Sequence, residues 1–234
     1  MRDEHETDDD ALTPAGDGVW LATTPVRILG MGLSSTMVAL RLRGDSLLLY
    51  SPVGLTPARR AAVEALGEVA HLYAPNLYHH LWLGEWAEAF PGARVHAPAG
   101  LRKKRPDLRV DRTHGDPPEP DFEGLVDELP IAGFRLEEAA LYYHPARALV
   151  VADLVHNIGA PEGAWTRLYT KAMGFYDQLA LSRMIRWTAF ADRKAARASV
   201  DALLARPFER LIVGHGTPVE TDARAALQAA LAWL

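Results

Sequence analysis

The chain contains no cysteine, which excludes a disulfide framework, thiolate zinc sites and a cysteine nucleophile. No apolar run approaches the ~18 residues of a membrane span. The acidic start lacks the basic residues and apolar stretch of a signal peptide. The expectation is a cytoplasmic protein with no membrane partner. Other signatures are missing too. Ser51-Pro52 and Ser34-Ser35 are not set in a Gly-x-Ser-x-Gly elbow. Neither a phosphate loop nor a dinucleotide fingerprint is present.

Net charge is absent outside one segment. The net charge is −5, and the first ten residues hold six acids (Asp3, Glu4, Glu6, Asp8, Asp9, Asp10) against Arg2, so the remainder balances. The body therefore has no basic field to attract nucleic acid. Residues 1–17 are polar and unpatterned, and they read as a disordered acidic tail. Residues 18–234 read as a single domain. The chain is 49% apolar over 234 residues, enough for a substantial core.

Strands are expected over residues 19–29, 36–42, 46–50, 68–73, 93–97, 126–130, 134–143, 148–153 and 208–213. Helices are expected over 57–66, opened by Thr56-Pro57, over 79–90, over most of 164–205 with a break near 175–179 or 190–192, and over 221–234. The basic, then Pro-rich stretch 101–120 reads as loop with short pieces. Arg102-Lys103-Lys104-Arg105 within it reads as a solvated run. Trp82 and Trp86 read as packing residues.

What remains is a small set of polar residues placed where apolar strands stop. His79-His80 follow Tyr73-Ala74-Pro75-Asn76-Leu77-Tyr78, Asp153 ends Ala148-Leu149-Val150-Val151-Ala152, and His215 ends Leu211-Ile212-Val213-Gly214. Strand ends are where many α/β folds deliver the groups of a site. Imidazoles with one carboxylate suit a transition-metal ion. Each residue also has a plain structural role open to it, as a helix-capping histidine, a turn aspartate or a histidine in a Gly-rich turn. His156 is a reserve candidate. His144, before Pro145 in a turn, is expected to face solvent, and His5, His71, His96 and His114 are given no role.

The ordered set resembles the metallo-β-lactamase-like superfamily, in a divergent branch of uncharacterised proteins. The resemblance rests on Ser51-Pro52-Val53, the segment 74–80, the segment 149–154 and Gly214-His215-Gly216, and it extends from about Val19 to the end. It implies an α/β, four-layer αββα sandwich with its site at one edge. The superfamily motif His-x-His-x-Asp-His falls on residues 75–80. Its first two histidines become Pro75 and Leu77, its Asp becomes His79, and its last His is His80. The ligand after a glycine becomes Phe134, after Gly133. The bridging Asp matches Asp153, and the final His matches His215. One metal site is thereby erased, and the other is kept as His79, His80, Asp153 and His215.

The resemblance implies one divalent transition metal (zinc, iron or manganese) and a metal-dependent hydrolase acting on a small-molecule substrate. An iron-dependent oxidoreductase and a non-catalytic binding or scaffold descendant stand as alternatives. The usual motif carboxylate is replaced by His79, which argues against dinuclear β-lactam hydrolysis. The sequence leaves substrate, metal and oligomeric state open.

Overall fold

Apolar side chains occupy both faces of the central strands, so each sheet must be covered on two sides. In the segment Ser46–Tyr50, Leu47 and Leu49 join one hydrophobic cluster while Leu48 and Tyr50 join another, because successive side chains point to opposite faces. The structure is a computed structural model that describes residues 11–234.

The first sheet has seven strands in sequence order: β1 (Thr13–Gly16), β2 (Val19–Ile28), β3 (Met31–Arg41), β4 (Ser46–Tyr50), β5 (Glu68–Tyr73), β6 (Arg94–Ala97) and β7 (Arg112–Thr113). Strands β1 to β4 run antiparallel, and β4 to β7 run parallel. Helices α1 (Pro57–Leu66) and α2 (Leu83–Ala89) are the crossovers that parallel pairing requires. Thr56 caps α1 by accepting from the Arg59 amide, with Pro57 in the first turn. A short helix, α3 (Leu101–Lys104), follows β6.

The second sheet is ordered β11-β10-β9-β8, from β8 (Val126–Pro130), β9 (Ala139–Tyr143), β10 (Ala148–Val150) and β11 (Arg210–Ile212). Between β10 and β11 lie α4 (Ala164–Met173), α5 (Arg183–Thr188) and α6 (Arg193–Leu204), and α7 (Ala223–Ala230) closes the chain.

Three hydrophobic clusters define the four layers. Val38, Leu40 and Tyr50 meet Leu141, Tyr143 and Val150 between the sheets. Val63 of α1 and Trp86 of α2 cover the outer face of the first sheet, with Met37 and Leu49. Val200 and Leu203 of α6 and Leu227 of α7 cover the second, with Tyr142 and Leu149. Trp86 is fully buried and donates its indole N–H to the Val53 carbonyl at 2.7 Å, so its polar end is also satisfied. Among the described residues no helix is long and apolar enough to cross a membrane.

Several boundaries depart from the sequence expectation. The acidic run lies outside the described residues, but residues 11–17 are not tail: Thr13–Gly16 pairs with β2 through the turn at Asp17-Gly18. Its order comes from backbone hydrogen bonds to a neighbouring strand, which composition does not reveal. The helix expected from His79 starts only at Leu83, with His79 and His80 in the preceding turn. Both suggested breaks in 164–205 occur. The strand expected from Phe134 starts at Ala139, because Gly133 and Glu137 both take positive φ.

That late start puts Glu138 at the base of β9, fully inside the protein. Its carboxylate accepts the amides of Ala152 (2.9 Å), Asp153 (2.7 Å) and Leu154 (3.3 Å). These amides lie just beyond β10, and Glu138 stands in for a missing strand partner. Asn76 Nδ2 donates to both Glu138 (3.1 Å) and Asp153 (2.9 Å). Burial, and then the Asp153 charge, pushes the Glu138 carboxyl up to about 7 against those hydrogen bonds. Glu138→Gln turns one acceptor into a donor facing amide N–H groups. At pH 8 urea denaturation should show a loss of about 1–3 kcal/mol, and unchanged stability would refute this clamp.

Candidate metal centre

The C-terminal ends of three strands meet at one edge of the sandwich. After β5, Asn76 Oδ1 accepts the amides of Tyr78 (2.8 Å) and His79 (2.9 Å), a side-chain turn that swings His79 inward. After β10, the Glu138 clamp fixes Asp153. After β11, Gly214 passes so close that an added Cβ would sit 2.9 Å from both the Ala152 carbonyl oxygen and the His79 ring. Only glycine lets His215 arrive there. The Thr36 amide bonds the Gly214 carbonyl at 2.9 Å and so joins the two sheets at this edge.

His79, Asp153 and His215 therefore converge, all buried, with one ligating atom from each inside 4.8 Å of the others. His79 Nε2 lies 3.2 Å from His215 Nε2 and 3.5 Å from Asp153 Oδ2, and His215 Nε2 lies 3.4 Å from Asp153 Oδ1. The far sides of both rings are held. His215 Nδ1 donates to the Ser34 carbonyl at 2.6 Å, and His79 Nδ1 bonds Ser51 Oγ at 2.7 Å. The Ser34 bond assigns the His215 proton to Nδ1 and leaves the Nε2 lone pair facing the cluster, as a metal-binding imidazole requires. Ser51 reaches its position from a left-handed backbone (φ 54°) just past β4, a torsion uncommon outside glycine.

Electrostatics follow from the crowding. Burial alone raises the Asp153 carboxyl, but His79, His156 and His215 outweigh it and hold it well below the usual carboxylate range. Burial lowers His215, yet Asp153 and the Ser34 carbonyl win and raise it. Burial prevails for His156, which is lowered. His156 Nε2 lies 3.3 Å from Asp153 Oδ1. Its buried Nδ1 has no hydrogen-bond partner among the described residues.

His80 does not join its neighbour. It is buried on another side of the turn, with Nδ1 3.5 Å from Arg105 Nη1. Burial, then Lys104 and Arg105, lowers its pKa. Adjacent residues in the turn point apart, and these surroundings favour a neutral ring over a cation. The four-residue set is therefore corrected: His79, Asp153 and His215 assemble, His80 does not, and the reserve candidate His156 touches Asp153 instead. Asn157 Nδ2 donates to the Thr217 carbonyl at 2.8 Å. Phe134 stacks on Phe190 at 4.7 Å, an apolar contact where the resemblance placed a lost ligand. His144 is exposed.

A second grouping escaped the sequence reading. His71, His96 and Glu119 also bring ligating atoms within 4.8 Å of one another. Here the atoms already have partners. His71 Nδ1 bonds His96 Nε2 at 2.9 Å, His71 Nε2 meets Asp121 at 3.1 Å, and Glu119 pairs with Arg94 and, at 3.6 Å, with Arg112. Burial, then neighbouring His71 and His114, pushes His96 down to about 3. The alternation of β5 and β6 could have placed His71 and His96 inside, but no sequence spacing joins them to Glu119.

Beside the first grouping is a cavity of about 90 Å³, floored by Asp153, His156 and His215. Apart from Ser182 and Tyr169 its walls are apolar, and they come from the β2–β3 hairpin, Ile158 and the α4–α5 region.

No protein-family model matches the chain, and no curated protein matches it in sequence. Solved structures do match in shape. A metallo-β-lactamase from Pontibacter korlensis is 15% identical, with TM-score 0.66 over 94% of this chain and 96% of that one. The metal-soaked flavodiiron core of Flv1 from Synechocystis is 16% identical, with TM-score 0.67 over 95% of this chain and 60% of that one. A metallo-β-lactamase from Hirschia baltica is 12% identical, with TM-score 0.60 over 94% and 96%. With its two facing sheets, outer helices and polar groups gathered at one edge, this chain has the metallo-β-lactamase fold.

Proposed function

We propose that the protein is a metal-dependent hydrolase with a reduced, mononuclear site in which His79, Asp153 and His215 hold one divalent transition metal. The supporting observation is that His215, anchored through Nδ1 to Ser34, turns its Nε2 toward His79 Nε2 and Asp153. Two neutral imidazoles and a carboxylate are a donor set for zinc, iron or manganese. Three protein ligands leave a position for water, which such an ion makes nucleophilic near neutral pH while it polarises a substrate oxygen.

The chain's own groups do the rest. Ser51 and Ser34 orient the imidazoles, and Asn76 and His156 orient Asp153. The apolar walls limit bulk water beside the cluster. The likeness to a flavodiiron core favours a second reading, iron-dependent redox chemistry at the same residues. Iron content with oxygen consumption, and no release of acid from esters or phosphodiesters, would replace the hydrolase with that reading.

Elemental analysis of protein purified without added metal should find about one transition-metal ion per chain. His215→Ala and Asp153→Ala should abolish retention, whereas His80→Ala should leave it intact. His156→Ala should weaken it by about 10–100-fold, as for loss of a group that orients a ligand. Retention unaffected by His215→Ala would remove the proposed centre.

Protons compete with the metal for imidazole. Because His215 is raised above its ordinary 6.5, its protonated form already gains ground above that pH on acidification. The apparent affinity for metal, measured in competition with a chromophoric chelator, should therefore weaken progressively as pH falls. An affinity that does not change on acidification would contradict it.

A further inference from the structure

The cavity beside the cluster differs in character from the cluster itself. Leu29, Met31 and Leu33 of the β2–β3 hairpin form one wall, and Phe175, Met184 and Ile185 of the α4–α5 region form the other. Among the described residues, its only ionisable lining besides Tyr169 is the floor of Asp153, His156 and His215, and no Lys or Arg lines it. The hairpin tip is held over the opening, since Trp165 of α4 donates its indole N–H to the Leu29 carbonyl at 3.1 Å. Leu29 and Met184 remain 60% and 40% exposed at that opening, an apolar rim continuous with an apolar interior.

A substrate carrying a negative group along the walls, away from the floor, would meet no Lys or Arg among the described lining residues, at a desolvation cost with no compensation. An aliphatic chain meets no such cost, and each methylene it buries gains transfer free energy. We infer that this cavity is an acyl pocket, which takes the uncharged aliphatic acyl chain of an ester and sets its carbonyl against the floor. The ester part of this inference rests on the hydrolase reading above. The reaction is then acyl transfer to water. Water adds to the acyl carbon, the acyl C–O bond breaks, and the water proton goes to the departing alkoxide, giving carboxylic acid and alcohol.

The test separates the pocket from the chemistry. Linear methyl ketones of increasing length, which mimic acyl esters but cannot be hydrolysed, are titrated calorimetrically into the full-length protein as purified. The matching methyl esters are assayed in parallel for acid release. Affinity for the ketones should rise by about three- to fourfold per added methylene until the pocket is full, and kcat/KM for the esters should rise with it. Leu29→Glu and Met184→Glu alter exposed rim positions, so folding is spared, and each should flatten the length dependence and weaken the longest ketone by at least about tenfold. Affinity independent of chain length, or unchanged in both variants, overturns the acyl pocket even if short esters are cleaved. Length-dependent binding without cleavage of any ester supports the pocket and instead refutes the hydrolase reading.

Discussion

A buried carboxylate charge at Asp153 is the constraint around which this edge of the molecule is arranged. Removing such a charge from water is costly unless hydrogen bonds and opposite charges replace the solvent. Here Asn76 donates to one oxygen, and the rings of His156 and His215 close on the other. The His79 ring approaches the Asn76-bonded oxygen. Behind Asp153, Glu138 grips the backbone that carries it. Two acids this close inside a protein repel. The conflict is divided unequally, with Glu138 pushed toward its neutral form and Asp153 held ionised by the imidazoles. An ion seated among His79, Asp153 and His215 would relieve the same tension from the other side.

The sandwich makes this arrangement rigid. Parallel strands end on one side, so the loops after β4, β5, β10 and β11 emerge together, and Ser51, His79, Asp153 and His215 come from those four loops. The Thr36–Gly214 backbone bond ties one sheet to the other at this edge. A shift of either sheet would therefore move ligands as well as core. The apolar walls come from the β2–β3 hairpin and the region around α5, so the lining of the cavity can change without disturbing His79, Asp153 and His215. The second histidine grouping shows the contrasting outcome. Similar residue types meet in space at His71, His96 and Glu119, but hydrogen bonds and arginines already occupy their ligating atoms.

Much of this was legible in the chain because it is local. The runs that alternate between two buried faces mark β4, the Thr56-Pro57 start marks α1, and polar residues where apolar runs stop mark Asp153 and His215. His79 was legible for the same reason. His80 was assigned with it because adjacency in sequence resembles adjacency in space. A single residue's rotation in the turn instead sends His80 toward Arg105. Glu138 and Asn76 gave no signal, since each acts through partners many residues away and neither sits in a recognisable spacing. Strand β1 was invisible because its order comes from the strand beside it.

Which residues could ligate, and that they follow the ends of strands, is written locally, because hydrophobic periodicity and its interruption are properties of neighbouring residues. Which of those candidates meet is set by packing across the whole chain. Convergence depends on how two sheets pack, on a glycine that permits a backbone approach at residue 214, and on hydrogen bonds from Ser34, Ser51 and Asn76 that aim the rings and the carboxylate. Those are relations across the whole chain, and direction in space is set by the partners a side chain finds there.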